Sequence, residues 1–194
     1  MKRIGLTGNI GTGKSTIARI FEILGVQIYH ADFQARQMLE SSKIIEQIKF
    51  LFGKCVLSPE HKIDRKALAA IVFIDKEKLA ALNNIIHPAI KEDFENWCLL
   101  QAKSDYILHE AAILFESGFD RFFDANILVT APDELCIARV MARDSVTKEM
   151  VANRIRNQWP QEKKLELADY ILVNDEISMA IPQVLAIHRE ILNT

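Results

Sequence analysis

The segment Gly8-Asn9-Ile10-Gly11-Thr12-Gly13-Lys14-Ser15 constrains this chain more than any other. It fits the spacing G-x-x-x-x-G-K-[ST] at every fixed position, and each fixed position has a physical task. The glycines let the backbone turn so that successive N–H groups point into one concavity, where they hold phosphate oxygens. A helix beginning near Lys14 adds the positive end of its dipole. Lys14 is placed to reach the β- and γ-phosphates of ATP, and the Ser15 hydroxyl to ligate Mg²⁺. Gly8, Gly11, Thr12, Gly13, Lys14, Ser15 and Thr16 are therefore the expected nucleotide-binding residues. The flanks suit the motif. The apolar run from Lys2 to Thr7 reads as a buried strand, and Ile17, Ile20, Phe21 and Leu24 recur at helical spacing until Gly25 closes the helix.

Beyond this loop, residues 26–29 read as a second strand that ends in the polar His30-Ala31-Asp32. From 33 to 100 the periodicity is helical. Leu39, Ile44, Ile45, Ile48, Leu51 and Phe52 form one stretch, Asp64 caps another that runs to Val72, a third starts at Lys76, and Pro88 opens a helix of its own. This segment is too long for a plain crossover and reads as a helical insert over the active site. Strands at 106–110, 126–130 and 170–173 then alternate with helices at 132–142, 147–159 and 177–192. Such alternation implies a parallel sheet with both faces covered. The expected architecture is the three-layer α/β/α fold of P-loop NTPases over residues 1–194, with five parallel strands, an insert at 33–100 and a helical lid at 133–165.

The chain has 194 residues and a formal net charge of -2, without the basic excess of a dedicated nucleic-acid binder. Its three cysteines, Cys55, Cys98 and Cys136, form no CxxC pair and suit neither a disulfide framework nor a zinc site. No stretch approaches the ~20 apolar residues of a membrane helix, and the N-terminus enters a strand directly. The expectation is a cytoplasmic protein, mature as written, with neither a nucleic-acid nor a membrane partner. Oligomeric state is not legible.

The loop fixes nucleotide binding, not the reaction. The D-x-x-G and N-K-x-D segments of a guanine switch are missing, and the chain is short for a motor domain. A small-molecule kinase remains, with the insert holding the acceptor. Here the residues resemble the dephospho-CoA kinase family over nearly the whole chain. The resemblance runs through Ile4-Gly5-Leu6-Thr7-Gly8, Ala31-Asp32, Asp64-Arg65 with Leu68, His87-Pro88 and Leu114-Phe115-Glu116. It ends with Arg139 and Arg143 before Gln158, and Ala168-Asp169 with Asn174.

The resemblance implies transfer of the ATP γ-phosphoryl group to the ribose 3′-hydroxyl of dephospho-CoA, the last step of coenzyme A synthesis. It implies that Asp32 contacts the acceptor hydroxyl as base, although by position alone Asp32 reads equally as a helix N-cap. Arg65 and His87 are implied to touch charged groups of dephospho-CoA, with a surface and a turn-filling role as the alternatives. Arg139 and Arg143, four apart on one helix face, are implied to contact ATP phosphates from the lid. Between Arg139 and Lys164 seven basic residues face three acidic ones, and Lys148, Arg154, Lys163 and Lys164 are expected to form a solvated basic face. Asn174 is implied to lie near the adenine. Where the family shows an Asp and then Pro-Leu-Leu-Phe-Glu, this chain has Glu110-Ala111-Ala112-Ile113-Leu114-Phe115-Glu116. Glu110 is expected to orient Mg²⁺ through water, and Glu116, Asp120 and Asp124 to be surface acids without a mechanism. A kinase of another small alcohol and a non-catalytic ATP-binding module are the competing readings.

Overall fold

The computed structural model describes residues 1–72 and 74–193, and of Lys76 the backbone. Five strands, β1 (Lys2–Thr7), β2 (Gln27–His30), β3 (Tyr106–Glu110), β4 (Ala125–Thr130) and β5 (Tyr170–Val173), pair in the order β2-β3-β1-β4-β5. Every pairing is parallel. Parallel sheets hide both faces, and β3 accordingly has all five residues buried. One face packs Ile4, Leu6, Leu108, Ile127 and Val129 against Ile17 and Phe21 of helix α1 (Lys14–Ile23) and Val184, Ile187 and Ile191 of the C-terminal helix. On β3, the His109 ring lies 5.3 Å from Tyr29 and 5.5 Å from Phe119 in stacked contact, and burial lowers its pKa to about 4, so the ring is neutral.

The chain leaves β1 toward β2 on one side and leaves β4 toward β5 on the other. The carboxyl ends of these adjacent strands therefore flank a crevice, the usual ligand position in a sheet of this kind. The loop Gly8–Gly13 lies at this end, between β1 and α1.

Residues Ala31–Leu100 form a unit apart from Met1–His30 with Gln101–Thr194. It contains α2 (Ala31–Met38), α3 (Ser42–Phe52), α4 (Arg65–Val72) and α5 (Lys76–Leu100). Its own core joins Ile44, Ile48, Val56, Leu68 and Val72, with Leu39, Leu79, Leu82, Ile85 and Ile86 packed on it. Asp64 Oδ1 accepts the Lys66 and Ala67 N–H groups at 2.9 and 3.1 Å, which supplies the start of α4. No helix among the described residues is long and apolar enough to cross a membrane.

Three helix boundaries differ from the sequence expectation by more than two residues. Pro88 opens no helix; α5 runs through it for 25 residues. An interior proline costs about 3 kcal/mol relative to alanine, but burial of one large apolar side chain returns about 1.5–3 kcal/mol. Leu82, Ile85 and Ile86 before Pro88, and buried Ile90 and Phe94 after it, keep one helix favourable, with Pro88 on the exposed side. Second, the helix at 147–159 stops early. After α6 (Asp133–Asp144), α7 is Lys148–Arg156, with Thr147 Oγ1 accepting the Met150 N–H, and Pro160 precedes a separate α8 (Gln161–Leu165). Third, α9 is Ala180–Asn193, because Asp175 Oδ1 captures the Ile177 and Ser178 N–H groups at 3.0 and 2.6 Å and holds them in a turn.

Replacing Pro88 by alanine restores one helical hydrogen bond at an exposed position. Pro88→Ala is expected to raise stability by about 1 kcal/mol after the entropy gained by the unfolded chain, or about 2–4 °C in melting temperature by calorimetry. A lower melting temperature would show that the helix needs the proline.

Candidate active site

The phosphate loop is shaped by close backbone packing. Gly11 and Gly13 have φ of +86° and +85°, a region that side chains disfavour. A Cβ on Gly11 would lie 2.4 Å from the Cys136 carbonyl oxygen, and one on Gly13 would lie 2.1 Å from Asn174 Nδ2. Thr12 donates its N–H and its hydroxyl to the Asn9 carbonyl, at 3.2 and 2.9 Å. Thr16 and Ile17 donate to the Gly13 carbonyl and begin α1, whose amino end faces the concavity, with Ser15 and Thr16 exposed.

Register along the sheet brings Glu110 here. It pairs with Leu6 of β1 and His30 of β2 at the carboxyl end of β3. Its carboxylate is nearly buried. The Lys14 ammonium pairs with Oε1, and the Ser15 hydroxyl donates to the same oxygen at 3.2 Å. His30 Nδ1 lies 2.7 Å from Oε2, while His30 Nε2 lies 3.1 Å from Glu22, which also accepts from Arg19 at 2.8 Å. Burial pushes the Glu110 carboxyl up, yet the Lys14 and His30 interactions outweigh it and hold the group below its ordinary value. For His30 burial pulls downward, and the two carboxylates prevail and raise it. Each ring nitrogen faces a carboxylate, and only the imidazolium donates from both.

Arg139 reaches the loop from α6. Its Nη1 donates to the Gly11 and Asn174 carbonyls at 3.4 and 3.1 Å, and its other nitrogens hold Glu176. Asn174 Nδ2 donates to the Thr12 carbonyl at 2.7 Å, so this side chain props the loop itself. Arg143 is not gathered with them: its guanidinium pairs with Asp144, which also accepts from Arg154. Asp32, Arg65 and His87 all belong to the 31–100 unit. Asp32 lies in the first turn of α2, so it is inside the helix and not its N-cap. Arg65 opens α4, and His87 lies within α5, where burial lowers its pKa. In the same unit Arg65, Arg36 and Lys62 line a cavity of about 280 Å³ with Phe33 and one acid, Glu40.

The expectation for Lys164 and Glu116 is corrected. Lys164 is fully buried, and its ammonium lies 2.7 Å from Glu116, itself only 13% exposed. Helical spacing misses this because α8 is a single short turn whose buried face has room for one long side chain. The Leu114-Phe115-Glu116 resemblance was the only signal. His30 was visible merely as a polar residue ending a strand.

Among the described residues no cluster of three or more His, Cys, Asp or Glu is arranged to hold a metal ion. The Ser15 hydroxyl and the Glu110 carboxylate are nonetheless adjacent hard oxygen donors. They fit Mg²⁺, which takes one or two protein oxygens and keeps several waters.

Comparison with known proteins agrees with this arrangement. The dephospho-CoA kinase family model matches residues 2–179. A dephospho-CoA kinase from Chlorobaculum tepidum is 44% identical over 89% of this chain and 86% of its own length. One from Aquifex aeolicus is 38% identical over 98% of both chains. In three dimensions the chain is similar to a Thermus thermophilus protein, with TM-score 0.86 and 32% identity over 99% of this chain and 96% of that one. It is also similar to a Campylobacter jejuni dephospho-CoA kinase, with TM-score 0.71 and 30% identity over 98% and 97%. A shikimate kinase from Acinetobacter baumannii, at 17% identity and TM-score 0.56, shares the fold alone. With its phosphate loop, strand-end carboxylate and helical insert in place, this chain belongs to the dephospho-CoA kinase family.

Proposed function

We infer that the protein transfers the γ-phosphoryl group of ATP to the ribose 3′-hydroxyl of dephospho-CoA, giving CoA and ADP in the last step of coenzyme A synthesis. The observation that carries this reading is the family match across residues 2–179, on a chain whose Lys14, Ser15 and Glu110 converge at the phosphate loop. In the reaction the acceptor oxygen forms a bond to the γ-phosphorus, the bond from that phosphorus to the oxygen bridging to ADP breaks, and the hydroxyl proton leaves. Positioning and charge neutralisation dominate such a transfer.

Each group has a proposed task. The loop N–H groups and Lys14 hold the phosphates, and Arg139, already bonded to the Gly11 carbonyl, is near enough to join them. Asp32 takes the hydroxyl proton. Ser15, with Glu110 through water, would hold Mg²⁺, which supplies charge neutralisation between the β- and γ-phosphates when bound. Arg143, now on Asp144, would need to exchange that partner for phosphate as the lid expected at 133–165 closes, a movement that leaves residues 158–164 on the phosphate loop and Glu116. Arg65 and His87 serve the acceptor. The cavity that Arg65 shares with Arg36, Lys62 and Phe33 has the chemistry of an anionic ligand with an apolar part, and it supports that role.

An acceptor panel assayed for ADP release tests the function. Turnover is expected with dephospho-CoA, with CoA as the second product; turnover with another alcohol and none with dephospho-CoA would overturn the reading. Asp32→Asn is expected to lower kcat by about 10²-fold or more while ATP binding by calorimetry stays near wild type. Near-normal kcat would remove Asp32 as the base. Lys14→Ala is expected to lower kcat/KM by about 10²–10³-fold in the same assay, through loss of charge stabilisation.

A further inference from the structure

Behind the phosphate loop lies a set of contacts that the transfer chemistry does not use. The loop's outer edge, Asn9 and Ile10, is held from the segment that follows α7. Ile10 donates its N–H to Gln158 Oε1 at 2.9 Å, and Asn9 Nδ2 donates to the Trp159 carbonyl at 3.1 Å. That segment is in turn tied to the loop after β3. Gln158 Nε2 donates to the Ala112 carbonyl at 3.3 Å, and Trp159 donates its N–H to Glu116 Oε1 at 3.0 Å. The same Glu116 oxygen receives the fully buried Lys164 ammonium, which also lies 3.5 Å from the Ala112 carbonyl. Lys163 stands over the Trp159 ring, 3.3 Å from its centroid.

We propose that Gln158 is a positioning residue for the phosphate loop, and that the buried Lys164–Glu116 pair is the anchor that holds Gln158 and Trp159 against it. A phosphate loop works only if its N–H groups are fixed before the nucleotide arrives, because donors that must reorganise lose their advantage. Inside the loop, Thr12 fixes the Asn9 carbonyl. On the outside, Gln158 fixes the next N–H and Trp159 fixes the Asn9 side chain. The peptide between Asn9 and Ile10 is thus held on both sides, from within the loop by Thr12 and from outside by Gln158 and Trp159.

A buried ion pair suits the anchor. Surface pairs yield and re-form, but a buried charge deprived of its partner costs several kcal/mol, so Lys164 and Glu116 cannot separate cheaply. Burial pulls the Lys164 ammonium below its ordinary pKa, opposed by Glu116, and the charge of Lys14 adds to the lowering. Because segment 157–160 directly follows α7, the clamp also fixes the point from which α6 and α7 depart.

The inference rests on reading Gly8–Ser15 as the nucleotide-binding loop, not on the identity of the acceptor. Its deciding measurements, binding and amide exchange, use the full chain and ATP alone. Gln158→Ala, a neutral change at a half-buried site, is expected to keep the melting temperature within about 3 °C. It is expected to weaken ATP binding by calorimetry about tenfold and to speed amide exchange across residues 8–12, with exchange in α9 unchanged. In steady state the KM for ATP rises and that for the acceptor does not. The paired variant Glu116→Gln/Lys164→Met removes both charges and keeps an acceptor for the Trp159 N–H. It is expected to bind ATP more tightly than Lys164→Met alone, which leaves Glu116 buried and uncompensated. Wild-type ATP affinity and wild-type loop exchange in a folded Gln158→Ala would overturn the proposal. If Lys164→Met does not fold, Gln158→Ala still decides.

Discussion

The nucleotide end of the sheet depends on one buried carboxylate, that of Glu110. Taking such a group out of water costs several kcal/mol unless charge and hydrogen bonds replace the lost solvent. Here the replacement comes from three side chains on two elements: Lys14 and Ser15 at the start of α1, and His30 at the end of β2. The carboxylate therefore fixes the relative placement of a helix start and two strand ends, and those are the parts that must be fixed for the loop between β1 and α1 to keep its shape. The dependence is mutual. Loss of Lys14 would remove the cation proposed for the transfer and also leave Glu110 short of its main partner, so the structural and the proposed catalytic role are not separable by deletion.

The helical insert answers a different constraint. The unit Ala31–Leu100, inserted between two strands of the sheet, cannot be covered by the sheet's own core, so it needs one of its own. The cluster around Ile44, Ile48, Leu68 and Val72 meets that need. An insert with its own core can vary in its surface residues without disturbing the helix start that carries Lys14 or the strand that carries Glu110. The residues proposed for the nucleotide lie in the sheet-bearing unit, while Asp32, Arg65 and His87, proposed for the acceptor, lie in the insert.

The sequence disclosed those features whose signal is local. All five strands fall within one residue of their expected ranges because apolar runs between turn residues are short and unambiguous; β4 starts one residue early and β2 is shifted by one. The loop was legible because its spacing encodes its backbone. Pro88 misled because a local rule, the cost of proline in a helix, lost to burial of residues on either side of it. Lys164 misled because composition places lysine outside, and only the packing of Glu116 from 48 positions earlier makes its burial affordable. His30 and Gln158 are in the same class. Their partners lie 80 and 148 positions away, respectively, and no periodicity records such a pairing.

The charges around Glu110 explain why this arrangement suits a triphosphate. Arg19, Glu22, His30, Glu110 and Lys14 form a line of alternating sign. With His30 protonated the line carries one positive charge more than its carboxylates cancel, and Lys14, the member at the loop end, is where that excess meets the concavity. Arg139 contributes a second cation whose loop-side contacts are neutral carbonyls, those of Gly11 and Asn174, so its charge toward the loop is offset only by the exposed Glu176. A helix amino terminus adds to both. The site thus keeps its negative charge on the inner, strand side and its positive charge on the face that an incoming polyanion meets. This polarity follows from where Glu110 sits, one residue beyond the neutral, stacked His109 and level with Leu6 of β1.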